Sequence, residues 1–166
     1  MPITVENNDK LPAFIADCHL GKLAKYLRMM GFDTLYFTQI DDNDLITLAI
    51  EQKRTILTRD SALSKRRNIP VLFLDSTETK AQLQAVFSRF RLKEHPAPFS
   101  RCIVCNTPLQ AVEKSEVLHR VPEKVQRTFS HFEYCPSCGR VYWHGDHYRR
   151  MQQFLAHVLE DQNSGH

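Results

Sequence analysis

Four short apolar runs, each followed by a stretch of helical periodicity, succeed one another before residue 91, and this alternation restricts the fold more than any other feature. Residues 13–17 (AFIAD), 33–37 (DTLYF), 54–58 (RTILT) and 71–74 (VLFL) have the length and the β-branched or aromatic content of buried strands. Residues 20–30 place Leu20, Leu23, Leu27 and Met30 on one helical face, with Gly31 at the left-handed position that closes a helix. Residues 41–53 direct Leu45, Leu48, Ala49 and Ile50 inward, with Asp41 or Asp42 as the cap. Further helices are expected over 61–66 and 78–90. Strands and helices alternating at this spacing imply βαβ units, hence a parallel sheet covered by helices on both faces. With 42% of its 166 residues apolar, the chain has the material for that core. It has only five glycines and neither a G-x-G-x-x-G turn nor a Walker A loop, which argues against dinucleotide or P-loop chemistry on this architecture.

In an open parallel sheet the ligand cleft lies beyond the carboxyl ends of the strands. Asp17, Asp60 and Asp75 each end a strand, and Asp42 and Asp44 open the helix after the second one, so the topology gathers up to five acids at one edge. Carboxylates so gathered repel one another unless a cation neutralises them, and an all-oxygen donor set suits Mg²⁺ or Mn²⁺. Such ions can hold a phosphodiester, activate water and stabilise a departing oxygen. Asp42 and Asp44 are equally at home as helix-start residues, and Asp75 as a turn residue. Asp17 and Asp60, each following an apolar strand, are the stronger ligand candidates. Cations border this edge: Lys22, Lys25 and Arg28 at i, i+3 and i+6 on the first helix, Arg59 beside Asp60, and residues 65–67 beyond. They can grip the phosphates of a polyanion or be plain solvated surface. Cys18 and His19, next to Asp17, are read as facing core or solvent more than as supplying a ligand or base. The net charge of +3 permits an anionic partner without demanding one.

After residue 91 the sequence changes character. Residues 91–100 (RLKEHPAPFS) hold two prolines and no periodicity, and they read as a linker between a domain over 12–90 and a module over 101–160. The module carries Cys102, Cys105, Cys135 and Cys138, two C-x-x-C pairs separated by 29 residues, and seven of the eight histidines follow residue 91. Residues 1–12 lack the basic-then-apolar order of a secretory leader, so the cytoplasm is the expected compartment and metal, not disulfides, the expected use of paired cysteines. Two knuckles around a β-rich insert form the pattern of a zinc ribbon, whose four thiolates fill the coordination shell and make the ion structural. No apolar run approaches the ~18 residues that span a bilayer. Phe129, Phe132, Tyr134, Tyr142, Trp143 and Tyr148 lie among Arg120, Lys124, Arg127, Arg140, Arg149 and Arg150. Such a mixture can stack bases and hold phosphates, or the rings can form the module's small core, which is the preferred reading. A last helix over 146–159, with Met151, Phe154, Leu155 and Val158 on one side, is expected to pack on the body ahead of a frayed tail, 161–166 (DQNSGH).

The runs DCHLGKLAKYLRMMGFDTLYF (17–37), DDNDLITLA (41–49), ILTRD (56–60) and CPSCGRVYW (135–143), with the double C-x-x-C, resemble the Mut-seven C-terminal RNase domain family over about residues 14–151. The resemblance implies a PIN-like nuclease fold with an attached zinc ribbon, acting as a metal-dependent ribonuclease. The family's acidic positions match Asp17, Asp42 or Asp44, and Asp60 here, and cleavage would be hydrolytic, leaving a 5′-phosphate and a 3′-hydroxyl. PIN-like sites use a further acid beyond the third strand, for which Asp75 is the candidate. The expected fold is thus α/β: a PIN-like parallel sheet flanked by helices, with an appended zinc-ribbon module and a C-terminal helix. Its partner is expected to be RNA, with no membrane involved. Asp17 and Asp60 are the expected Mg²⁺ or Mn²⁺ ligands, with Asp42 and Asp44 as further ligands or water-orienting groups. Lys22, Lys25 and Arg28 are the expected phosphate contacts, and Arg59 an aid to the transition state. The alternative is a non-catalytic RNA- or ribosome-binding adaptor in which the ribbon does the binding. A phospho-accepting receiver fits poorly, because it wants an acidic pair after the first strand, where Cys18 and His19 stand. The residues are silent on oligomeric state.

Overall fold

The computed structural model describes residues 11–94 and 97–163. Strands β1 (Phe14–Ala16), β2 (Thr34–Tyr36), β3 (Thr55–Thr58) and β4 (Val71–Phe73) form a parallel sheet in the order β2-β1-β3-β4. Helices α1 (Gly21–Met29), α2 (Asp42–Glu51), α3 (Ser61–Ser64) and α4 (Thr79–Phe90) follow the strands in turn. The chain steps outward from β1 to β2, then crosses back over β1 to reach β3. Connections therefore leave the neighbours β1 and β3 in opposite directions, the topological switch at which a crevice opens beyond the strand ends. Side chains alternate with the strand period of two. Phe14, Ala16 and Leu57 enter one core with residues of α1 and α4, while Ile15 and Ile56 enter a second with Leu45 and Ala49 of α2 and Leu63 of α3. Helices thus cover both faces, as the alternating pattern predicts.

Two details depart from the periodicity reading. Ile50, expected to face inward, is 55% exposed. It lies five residues beyond Leu45, about 140° around the helix at ~100° per residue, so the buried stripe of α2 consists of Leu45 and Ala49 with Leu48 half-buried. The last helix also runs further than expected, and residues 161–163 belong to it. The remainder of the expected tail (164–166), the leader reading of residues 1–10, and residues 95–96 of the expected linker lie outside the described residues.

Beyond α4 the chain stays attached to the first core. Leu92 is fully buried in it, and the backbone N–H groups of Ala97 and Phe99 donate to the carbonyls of Met30 and Met29 at the end of α1. Gly31 makes this approach feasible: its φ is +92°, and a Cβ there would run into the Ala97 carbonyl. A second sheet, antiparallel, orders β5 (Gln110–Val112), β6 (Phe132–Tyr134) and β7 (Val141–Tyr142) as β5-β6-β7. Between β5 and β6 lie α5 (Lys114–Val117) and α6 (Glu123–Thr128), over a small cluster of Val117, Val121 and Phe132. The final helix, α7 (Asp146–Asn163), returns Met151, Leu155 and Val158 to the core of the first sheet, as its apolar side predicts. Among the described residues no helix is long and apolar enough to cross a membrane.

The cysteine-bearing loop is fastened to the outer side of β2 at its amino end. Asn106, buried and itself left-handed at φ 70°, accepts from the Thr34 N–H (3.0 Å) and donates to Asp33 (2.7 Å). The buried guanidinium of Arg28 donates to the Thr34 carbonyl (2.8 Å) and to the carbonyls of Ile103 (3.2 Å) and Val104 (3.0 Å). The outward N–H of Thr34 is thereby satisfied by the module and its outward carbonyl by Arg28 of α1. Asp33 also takes a two-pronged ion pair from Arg54, at 2.7 and 3.2 Å. Burial pushes the Asp33 carboxyl up, but the Arg54 and Asn106 hydrogen bonds outweigh it and hold it below its ordinary range.

Candidate functional site

Asp17 and Asp60 come together at the carboxyl ends of β1 and β3. Asp17 continues the ladder for one more bond, its N–H donating to the Leu57 carbonyl at 2.9 Å, and its own carbonyl then accepts from Leu20 N–H as the chain turns into α1. The fully buried Thr58 links the two acids: its hydroxyl donates to Asp17 Oδ2 (2.9 Å) and accepts from the Asp60 N–H (2.9 Å). The second Asp17 oxygen accepts from His19 N–H at 3.2 Å. Asp60 is the N-cap of α3 through Oδ1 alone, which takes the N–H groups of Ala62 and Leu63. Each carboxylate oxygen has room for about two bonds, so both acids keep lone pairs for a cation.

A cleft of about 410 Å³ opens here, lined by Asp17, Cys18, His19, Ile40, Asp42, Leu45, Arg59 and Asp60. Asp41, not Asp42, caps α2 by accepting from Asp44 N–H at 2.8 Å, which leaves the exposed Asp42 carboxylate free to line the cleft. Among the described residues none of Asp17, Asp42 and Asp60 is held in an ion pair. Three carboxylates and one guanidinium thus line the same cleft, and oxygen donors of this kind suit a hard divalent cation. Among the described residues the potential ligand atoms in this cleft that lie within 4.8 Å of one another are those of Asp17, Cys18 and His19. The Asp17 carboxylate, chiefly through a hydrogen bond, raises the Cys18 thiol above its ordinary value, so the sulfur stays protonated at neutral pH. Tyr36 pins this turn by donating to the Cys18 carbonyl at 2.9 Å.

Not every expected residue reaches the cleft. Asp44 is exposed but is not among the lining residues, and Asp75 lies off it, its carbonyl accepting from Arg59 at 3.3 Å. Lys22 and Lys25 are exposed on α1 outside the lining. Arg28 corrects the expected basic stripe: it is buried and its donors are taken by backbone carbonyls, so it fastens the cysteine module and does not face a substrate. Thr58, in contrast, has no role that periodicity conveys, although a threonine closing the strand two places before an aspartate (T-R-D) is the visible signal. Cys18 and His19, expected to face core or solvent, both line the cleft.

The four remaining cysteines converge. Their sulfurs lie within 4.8 Å of one another, with Cys102–Cys138 at 3.7 Å and Cys105–Cys135 at 3.2 Å, and all are free thiols. A tetrahedron with Zn–S bonds of about 2.3 Å has edges of about 3.8 Å, whereas a disulfide is about 2.05 Å, so the set can hold a zinc ion. Gly139, at φ 80°, makes the turn of the second knuckle and donates to the Cys135 carbonyl. Burial raises Cys105, but hydrogen bonding with the Thr107 hydroxyl and backbone and with Cys135 brings it down to about 6. At Cys138 a backbone bond with Arg140 lowers the thiol, while burial and the neighbouring cysteines push it up to about 11. The Tyr142 hydroxyl, 3.0 Å from Cys102 Sγ, is kept protonated by burial and by that sulfur, and so can donate to a thiolate ligand.

Neither the curated proteins nor the solved structures hold a significant match to this sequence. The sequence model of the Mut7-C RNAse domain does match, over residues 12–155, which takes in both carboxylate-bearing strand ends and all four clustered cysteines. The chain belongs to the Mut7-C RNAse domain family.

Proposed function

We propose that this protein is a metal-dependent ribonuclease of PIN-like type, hydrolysing RNA phosphodiester bonds at the carboxylate cleft, with zinc on the cysteine cluster as a structural ion. The family's name supports a nuclease-like or RNA-related role. The observation that carries the finer reading is the convergence of Asp17, Asp42 and Asp60, none ion-paired, on one cleft at the switch between β1 and β3.

Asp17 and Asp60 would hold Mg²⁺ or Mn²⁺, with Asp42 as a further ligand or water-orienting group. Bound there, the ion would neutralise the scissile phosphate and acidify a water. The protein's own part is to preorganise the acids. Thr58 fixes the Asp17 rotamer through Oδ2, and the α3 cap fixes that of Asp60 through Oδ1. Arg59 at the rim can stabilise charge developing on the phosphate, and Lys22 and Lys25 can hold flanking phosphates. Asp44, away from the lining, acts at most on solvent near the helix start.

The test is cleavage of labelled single-stranded and structured RNA by purified protein with added Mn²⁺, alongside Asp17→Asn. Wild type is expected to cleave and the variant to lose at least about 100-fold in rate while still binding RNA. Wild-type protein that binds RNA and cuts none would reduce it to an RNA-binding adaptor.

A further inference from the structure

The aromatic residues of the cysteine module are not all spent on its core. Phe132 and Phe129 belong to the small cluster around Val117 and Val121, and Trp143 packs against Phe132 at 6.4 Å between ring centres. Trp143 nevertheless remains only partly buried, and it lines three separate cavities.

The first, about 350 Å³, is walled by Phe99, Ile103, Tyr142, Trp143, Tyr148 and Met151, with Arg101 and Asp146 at its margin. The second, about 320 Å³, shares Ile103, Val141, Tyr142 and Trp143 with the first and adds Arg120 and Arg140. The third, about 240 Å³, shares Trp143, Gly145 and Asp146 with the first and adds Lys124 and Arg149. The three hollows adjoin at Trp143, which walls each of them, and together they trace a path whose linings combine aromatic rings with cations. Gly145 lets the backbone pass close to the indole, since a Cβ there would come within 2.9 Å of Trp143 Nε1.

Charge along the path is one-sided. The linings hold Arg101, Arg120, Lys124, Arg140 and Arg149 against one lining carboxylate, Asp146, which pairs with Arg149 at 2.6 Å, while Arg101 lies 4.0 Å from Asp33 outside them. Arg120 is aimed by a hydrogen bond to the Gly139 carbonyl. Arg140 and Lys124 are exposed and form no ion pair among the described residues.

A path with ring-lined hollows and flanking cations has the two elements that hold a single nucleic-acid strand: π-faces for bases and positive groups for the backbone. A duplex hides its base faces in the stack, and an acidic peptide has no use for the rings. We propose that this path on the cysteine module binds unpaired nucleotides of an RNA strand, one base being received against Trp143. The inference rests on RNA being the chain's partner, as in the reading above, but not on any catalysis at the acidic cleft, none of whose lining residues it uses.

Trp143 is the only tryptophan in the chain, so its fluorescence reports the path directly. The experiment titrates the zinc-loaded protein, without added Mg²⁺ or Mn²⁺, with a ten-residue oligouridylate, with the same strand paired to oligoadenylate, and with polyglutamate. Saturable quenching by the single strand alone is the expected result. Because Trp143 also packs on Phe132, the exposed residues carry the mutational arm: Arg140→Gln and Lys124→Gln should each weaken binding about three- to tenfold. Each should also lower the salt slope of log K by about 0.7. Equal quenching by duplex or polyglutamate, no quenching by the single strand, or unchanged affinity in both variants would overturn the proposal. Quenching without Mn²⁺-dependent cleavage would instead sink the nuclease reading and leave this one standing, and cleavage without quenching would do the reverse.

Discussion

Asp33 shows how much one side chain can be asked to hold. It receives Arg54 from the chain before β3 and Asn106 from the cysteine-bearing loop, and these bonds keep it ionised below its ordinary range. A carboxylate whose folded pKa is depressed contributes its full stabilisation above its unfolded value, about 3.9, and loses it as pH falls through the folded one. Urea unfolding followed from pH 7 down to pH 3 should therefore show wild type losing stability below about pH 4. Asp33→Asn should start lower at pH 7, by about 1.5–3 kcal/mol for charge-assisted bonds, and approach wild type at the acid end. Parallel curves across that range would mean the carboxylate is not the group responsible. Thr58 poses the complementary case, a buried hydroxyl whose two bonds are spent on orienting Asp17 and the Asp60 backbone.

At the scale of elements, the end of α1 carries the sharpest prediction. Gly31 is left-handed and lies against the Ala97 backbone, so Gly31→Ala meets both a conformational penalty of ~1–2 kcal/mol and an overpacking penalty of ~1–3 kcal/mol. A loss on the order of 3 kcal/mol in chemical unfolding is expected, and a change below about 0.5 kcal/mol would show that the approach relaxes at no cost. That glycine was legible in the sequence, as were the four strands, the helices between them and the inward face of α1, because periodicity reports which side of a helix is buried. The meeting of Asp17 with Asp60 was legible for a different reason: the ends of parallel strands share an edge. What periodicity could not convey was the fate of individual polar groups. Arg28 sits in a basic stripe on paper, yet it lies on the flank of α1 that meets the cysteine loop, and desolvation there is compensated by three carbonyls contributed from residues 6, 75 and 76 positions away. Ile50 erred the other way, an apolar residue on the outward flank of a helix whose burial stripe is only two residues wide.

Across the whole molecule, Arg28 and Asn106 are polar ties between the sheet and the cysteine module, Arg28 holding the Ile103 and Val104 carbonyls inside the first knuckle and Asn106, just after it, holding Thr34 and Asp33. The Asn106 N–H itself donates to the Cys102 carbonyl at 2.9 Å. Cation bound at the four sulfurs should then stabilise the distant sheet as well as its own loop. Treatment with a zinc chelator is expected to lower Tm for the whole protein in a single transition, restored by zinc but not by Mg²⁺. Two separated transitions, the larger one unmoved, would show the module to be energetically independent. The more telling result concerns what chelation leaves uncovered. With the knuckle slack, the Thr34 N–H would lose its Asn106 partner and the outer margin of β2 would be uncovered, a surface on which a second chain can lay its own backbone. Zinc starvation should thus be visible as self-association, with light scattering rising at temperatures where the loaded protein stays monodisperse; the ion would be guarding solubility from the far end of the sheet.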